Sequence, residues 1–407
     1  MAKWKTSPLG ELCDVIGGGT PAKSEPAYYA GEIPWATVRD MQNEIITETE
    51  FRITKKAVQS SATNIIPAGN VVIATRVGLG KVCMVSDDTA INQDLRGIVP
   101  RDPLRLSARF LFWCLKSMSD LIVAEGTGAT VQGVRLPFVK SLRVPAISLP
   151  EQQCTVAILD EAFKGINIAK VNAERNLHNA RAVFESHLQS LFKQRGQGWI
   201  EKRLTEVSRE FGRGKSKHRP RNDSTLYRGP YPFIQTGDIS NADHWLTNYT
   251  QTYNERGLAQ SRLWPKGTIC IAIVGATVGE TAILDFEACF PDSVIGIVVD
   301  DKLADKEYVE FLLQAFKSLL KEKGKGTARD NINLGTFENQ KFPFPSLKTQ
   351  QEIVAALNDL AIETQRLVII YERKLLALEA LKKSLLDRAF SGDLRDKKTR
   401  NHVAAVA

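Results

Sequence analysis

No stretch of the 407 residues is apolar for anything near the roughly 18 positions that a helix needs to cross a bilayer, so no membrane span is expected. The opening residues, MAKWKTSPLGELC, hold no apolar core of the kind a secretory signal requires. Cysteine is sparse and scattered: Cys13, Cys83, Cys114, Cys154, Cys270 and Cys289 form no CxxC, so reduced and mostly buried thiols are the expectation. The five histidines (His178, His187, His218, His244 and His402) show no metal-ligand spacing. Together these absences point to a cytoplasmic protein without a metal or cofactor of its own.

Catalytic signatures are thin as well. Gly214-Lys215-Ser216 ends like a phosphate-binding loop, but position 209 is Arg where that motif needs Gly. The run GGGT at Gly17–Thr20 is followed by Pro21 and suits a turn. No NPPY-type tetrapeptide of an amino-methyltransferase occurs. One pattern keeps an enzymatic alternative open: Pro291-Asp292 followed by Asp300-Asp301-Lys302 matches the loose PD…DxK arrangement of many nucleases. There, Asp292 and Asp300 beside Lys302 could hold magnesium and orient a water. The matching stretch of the first half, Gln93-Asp94 to Arg101-Asp102, has no DxK.

What is present is ordinary globular composition, 43% hydrophobic and 25% charged, with 54 Lys and Arg against 46 Asp and Glu. The net charge of +8 favours a polyanionic partner, nucleic acid before an anionic membrane. The length calls for two to four units rather than one core.

The chain also contains itself twice, at a separation of roughly 200 residues, far beyond a solenoid period. Trp4 leading to Leu9-Gly10-Glu11 recurs as Trp199 leading to Leu204-Thr205-Glu206. Gly69–Lys81 recurs as Gly267–Glu280, Gly97-Ile98-Val99 as Gly296-Ile297-Val298, and Gly126-Thr127 as Gly326-Thr327. RVPAISLPEQQ at Arg143–Gln153 recurs as KFPFPSLKTQQ at Lys341–Gln351. Each half opens with short β-branched runs bounded by turn residues, read as strands at Val71–Ala74, Val82–Val85, Ile269–Val274 and Ile295–Val299. A short amphipathic helix is predicted near Arg109–Leu115 and near Tyr308–Leu320.

Each half then runs into a long stretch without proline, Glu151–Arg195 and Thr349–Ser391. Apolar residues recur there in steps of three and four, as in a coiled coil. The predicted seams are Leu159, Ala162, Ile166, Ala169, Ala173, Leu177, Ala180, Val183 and Leu357, Leu360, Leu367, Tyr371, Leu375, Leu378, Leu381, Leu385, with Thr364 at a skipped position. An antiparallel pair that carries the two domains at opposite ends fits this pattern. The alternative is that each helix packs on its own domain.

This duplicated order resembles the specificity subunits of type I restriction–modification enzymes. The resemblance rests on PWATVRD at Pro34–Asp40 with PFIQTGDI at Pro232–Ile239, the joints before each helix, and the helix ends LFKQRGQGW and LLDRAFSGDL. It covers nearly the whole chain. It implies an α+β fold in which two similar target-recognition domains are separated by two long antiparallel coiled-coil helices, a pseudo-two-fold internal repeat. The expected organisation is a first recognition domain at 1–150, a spacer helix at 151–197, a second recognition domain at 198–348, a second helix at 349–392 and a tail at 393–407. The resemblance further implies a non-catalytic subunit whose domains each bind one half of a bipartite target in double-stranded DNA. The helices would dock methyltransferase subunits, two in number, with restriction–translocase subunits joining for cleavage. ATP, S-adenosylmethionine and magnesium would belong to those partners. A nucleic-acid-binding adaptor of another complex is the remaining alternative.

Candidate DNA contacts follow from charge. Phe211–Arg221, FGRGKSKHRPR, carries Arg213, Lys215, Lys217, Arg219 and Arg221 with no acidic residue, and its Gly and Pro predict a flexible loop able to follow phosphates. The matching stretch of the first half is less charged and offers Lys23. Further candidates are Arg39, Arg76 in the repeated glycine turn with Thr277 as its near counterpart, and Arg135 and Arg329 after the paired Gly-Thr segments.

Overall fold

The computed structural model describes residues 4–127, 133–218, 220, 223–324 and 334–392, with backbone alone for 320–324. Arg219, Arg221, Arg329 and the tail from 393 onward lie outside the described residues. Contacts divide the chain into two units, one running through Glu174 and resuming at Arg373, the other Arg175–Glu372.

In the first unit a five-stranded sheet has the order Cys13–Gly17, Leu95–Pro100, Val71–Ala74, Val82–Val85, Ile45–Ile46. A four-stranded sheet has the order Phe51–Ile53, Ile33–Ala36, Thr89–Ile91, Asn64–Ile66. The second unit repeats both. Its five strands are Ser208–Arg213, Val294–Val299, Ile269–Ala272, Thr281–Leu284 and Trp245–Leu246, and its four are Gln251–Tyr253, Tyr227–Phe233, Ala288–Cys289 and Leu263–Trp264. The order is the same in both units, so the repeat read from the sequence is a repeat of topology.

The central strands read as unbroken apolar runs because both faces of the five-stranded sheet are covered. Along Val71–Ala74, Val71 and Ile73 join the core under the helix Ala108–Ser117, while Val72 and Ala74 join the core under the four-stranded sheet. The second unit does the same, Ile269 and Ile271 facing the helix Lys306–Gly324 and Cys270 and Ala272 facing the other sheet. A conserved topology also explains the paired glycines. A Cβ on Gly97 would lie 2.1 Å from Cδ1 of Ile66, and one on Gly296 would lie 2.6 Å from Cζ of Phe290, so both mark where the two sheets approach closely. The strand expected to reach Val274 ends at Ala272, because Gly275 turns the chain with φ +67°.

The long helices are Leu149–Gln194, 46 residues, and Leu347–Ser391, 45 residues, each about 68 Å at 1.5 Å per residue. Each begins two residues before its expected start. Pro150 falls in the first turn, where its missing N–H costs no hydrogen bond. Gly392, at φ +91°, closes the second helix.

Within the first unit the helices run antiparallel. Lys170 pairs with Glu379 at 2.7 Å and Lys382 lies over the Phe163 ring. Leu159 and Phe163 share one core with Leu386 and Ala389. In the second unit Arg181 pairs with Glu372 at 2.8 Å, and Leu188 and Phe192 share a core with Val354 and Leu357. The two alternatives therefore merge: helix packs on helix, and each helix end also enters a domain core.

The predicted seams need correction. Val183, Leu367 and Leu381 are exposed, at 46%, 41% and 46%. Phe184, Val368 and Lys382 turn inward instead, and Thr364 is buried with its Oγ1 donating to the carbonyl of Leu360 at 2.9 Å. An α-helix drifts about 20° per heptad against a strict 3.5 repeat, so a stripe counted by threes and fours walks off the buried side.

Candidate nucleic-acid interface

In the first unit, two of the four candidate cations, Lys23 and Arg39, line one cleft and a third, Arg76, borders it. The cavity, about 570 Å³, is lined by Lys23, Arg39, Thr20, Trp35, Phe51, Gln93 and Asp94 among others. Its floor is an edge-to-face trio, with Tyr29–Trp35 centroids at 6.0 Å, Trp35–Phe51 at 6.2 Å and Tyr29–Phe51 at 6.3 Å. The indole N–H of Trp35 donates to the Gly19 carbonyl at 3.2 Å.

Arg39 is placed by a capped turn. The amide of Arg39 donates to Oγ1 of Thr37 at 3.2 Å, and the Thr37 amide donates to Asp40 at 2.7 Å. Arg39 reaches Glu50 at 3.4 Å. Arg76 borders the cleft through Asp94, at 3.8 Å. Both arginines are exposed and Asp94 is half-buried, so each pair is worth about 1 kcal/mol or less and can yield to a phosphate or base. Arg135 is exposed on the adjoining segment, whose Val134 amide donates to the Thr75 carbonyl at 2.9 Å.

The GGGT run is not a turn. A Cβ on Gly18 would meet the Asn92 carbonyl oxygen at 2.1 Å and one on Gly19 the Ala62 carbonyl carbon at 2.5 Å, so these glycines serve close backbone approach at the cleft edge. Neutral side chains, which carry no charge signal, also line this cleft. Thr20 donates to the Gln93 side chain, and Asn92 donates to Asp94 at 3.0 Å. Amides and carboxylates are the groups that read adenine and cytosine edges. Their only signal in the sequence is their place beside the strand Thr89–Ile91.

In the second unit, the expected flexible loop is extended and pinned. Arg213 ends a strand, paired with Ile295. The Gly214 amide donates to the Val294 carbonyl at 2.9 Å, Ser261 donates to the Lys215 carbonyl at 2.7 Å, and the His218 amide donates to Gln260 at 3.0 Å. Gly214 and Ser216 are buried, while Arg213, Lys215 and Lys217 are exposed. Period-two alternation thus sets three cations on one side, about 6.6 Å apart at 3.3 Å per residue. A Cβ on Gly214 would lie 2.2 Å from the Phe290 carbonyl oxygen, so glycine is required there too.

Thr277 lies in the corresponding hairpin loop, half-buried, its Oγ1 donating to the Val274 carbonyl at 3.2 Å. It is not the counterpart of Arg76. The amides of Ala74 and Ala272 bond Lys81 and Glu280, which makes the second loop one residue longer and matches Arg76, counted from the strand, to Val274.

The nuclease pattern does not assemble. The strand Val294–Val299 separates Asp292 from Asp300, and six strand residues span about 20 Å, too far to share one ion. Asp300 and Asp301 instead meet Arg209 at 3.8 and 2.8 Å.

One mixed-sheet domain built twice, each copy leading into a long helix, with cationic surfaces that differ between the copies, defines a duplicated reader of a polyanion. A family model described as "Type I restriction modification DNA specificity domain" matches residues 1–176 and 196–369, and the chain belongs to that family. It is 23% identical over 417 residues to the type I restriction enzyme MjaIX specificity subunit of Methanocaldococcus jannaschii, covering 96% of this chain and 94% of that one. Its fold is similar to a chain of a type I restriction–modification system solved in work on that complex's assembly and conformational transition, with TM-score 0.77, 19% identity, and 97% and 99% of the two chains covered. It is also similar to the HsdS subunit from Thermoanaerobacter tengcongensis, with TM-score 0.61, 18% identity, and 96% and 97% covered. The protein is a DNA sequence-specificity subunit, and its work is recognition rather than catalysis. No helix among the described residues is long and apolar enough to cross a membrane.

Proposed function

We propose that the domains at 1–150 and 198–348 each bind one half of a bipartite target in double-stranded DNA. The first uses the cleft of Lys23 and Arg39 with Arg76 and Arg135 beside it, and the second uses the edge of Arg213, Lys215 and Lys217, with Arg219, Arg221, Thr277 and Arg329 as further contacts. The observation that carries this reading is one topology built twice with different side chains at the same sheet edge, as two half-sites of different sequence require. The helices at 151–197 and 349–392 act as spacer and dock two methyltransferase subunits. Their exposed Ile168, Val171, Ile362, Ile370 and Leu376 support a protein-covered surface. Restriction–translocase subunits join the same cytoplasmic complex and bring the ATP, S-adenosylmethionine and magnesium chemistry.

Methylome sequencing of cells with and without the gene tests this. One bipartite methylated motif should vanish with the gene. A methylation pattern that stays complete without it refutes the reading.

A further inference from the structure

Three residues in each unit occupy matching places; at two of the places the charge inverts, and at the third a carboxylate becomes a neutral amide. Backbone and glutamine bonds establish the match. The Met84 amide donates to the Glu44 carbonyl at 2.8 Å as the Ile283 amide donates to the His244 carbonyl at 2.9 Å, so Glu44 matches His244 at the sheet's edge strand. Gln152 accepts from the Ser107 amide and Gln350 from the Asp305 amide, both at 2.9 Å. Counting from those bonds, Arg109 matches Glu307 on the domain helix, and Asp160 matches Asn358 on the long helix.

In the first unit the hub is a cation. Nη2 and Nε of Arg109 donate to Oδ1 of Asp160 at 2.8 and 3.1 Å, and Nη2 lies 3.6 Å from Glu44. The Trp113 indole donates to the same Asp160 oxygen at 2.7 Å. In the second unit the hub is an anion. Glu307 accepts from Nδ2 of Asn358 at 3.0 Å and lies 3.4 Å from Nε2 of His244.

We propose that these clusters are a positional key, seating each domain on the long helix that follows it and making the two domains non-interchangeable. The proposal rests on the reading of the domains as recognition modules. A second domain placed before the first helix would set Glu307 against Asp160, two carboxylates in one site, where like charge disfavours ionising both. A first domain placed before the second helix would set Arg109 against Asn358, losing an ion pair without creating a repulsion. Exchange is therefore costlier in the first direction. Arg109, Asp160, Glu307 and Asn358 are positioning residues, acting through the domain's seat on its helix.

The test is a mutant cycle in the full chain, read by thermal melting without DNA. Asp160→Asn should lower the melting temperature in the native chain and raise it when Arg109→Glu is already present, by about 3 °C or more each way. A purely structural loss has one sign in both backgrounds, and one sign overturns the key. If the Arg109→Glu chain is not recovered folded, recovery of the double variant supports the proposal and failure of both refutes it. A second arm replaces residues 1–148 with a copy of 198–346 in cells. Adding Asp160→Asn to that chimera should raise methylation several-fold, and no gain counts against the key. A methylated motif identical to the native one would instead count against the recognition reading, leaving the melting result to stand by itself.

Discussion

The carboxylate of Glu310 lies 2.6 Å from Nδ1 of His244, and Glu310 is wholly buried. Thr281 and Gln314 donate to its other oxygen at 2.6 and 2.7 Å. Glu307 faces the same ring, and Asp243, Arg181, Glu185 and Arg366 line the surrounding cavity of about 660 Å³. Burial opposes charge on His244, but the hydrogen bond and attraction of Glu310, aided by Glu307, outweigh it and raise the pKa above 6.5. A raised folded pKa contributes stability that is complete below the unfolded value and is lost as pH climbs through the folded one. The second unit should therefore melt at a lower temperature as pH rises above the unfolded value of about 6.5, and His244→Gln should flatten that dependence. Because the variant leaves a buried carboxylate uncompensated, it should also cost about 3 kcal/mol or more at pH 6. Fluorescence of Trp245, whose ring lies 6.1 Å from that of His244, reports the transition. Equal pH slopes in the two proteins would show that His244 is not the titrating group.

Changing Arg213, Lys215 and Lys217 together to Ala should weaken duplex binding at every sequence tested. Each lost phosphate contact removes about 0.9 from the slope of log affinity against log salt, so the slope should fall by up to about 2.7. Anisotropy of a labelled duplex at several salt concentrations measures it. An unchanged slope would mean that the pinned edge faces solvent only.

Gly214→Ala forces a Cβ against the Phe290 carbonyl and must shift the edge strand. Overpacking of this kind costs about 1–3 kcal/mol, visible as a lower urea midpoint at unchanged slope. Duplex affinity should fall with it, since the exposed alternation of Arg213, Lys215 and Lys217 depends on that strand. A variant as stable as the parent would show that the backbone there has room to spare.

Replacing residues 198–348 with the corresponding domain of a relative should change one half of the methylated motif and leave the other intact. Separate cores in the two units motivate this expectation. Methylome sequencing decides it, and alteration of both halves would mean that the domains read jointly.

The sequence by itself determined the elements and their duplication. The runs Val71–Ala74 and Ile269–Ala272, and the two proline-poor stretches with apolar steps of three and four, are local signals: each is decided by neighbours within one strand or a few helical turns. Only the tertiary structure decided what those elements bring together. Which side of a long helix is buried depends on helical drift and on the domain met at each end, so Val183, Leu367 and Leu381 face solvent while Phe184 and Val368 turn inward. The extended course of Arg213–Lys217 depends on Val294, Ser261 and Gln260, none of them near in sequence. The cleft that joins Lys23 and Arg39 to Gln93 and Asp94, and the paired clusters of Glu44, Arg109, Asp160 and His244, Glu307, Asn358, are assembled by sheet order. Periodicity carries no trace of them, because an interaction between side chains fifty or more residues apart becomes legible only once strand pairing has set their distance.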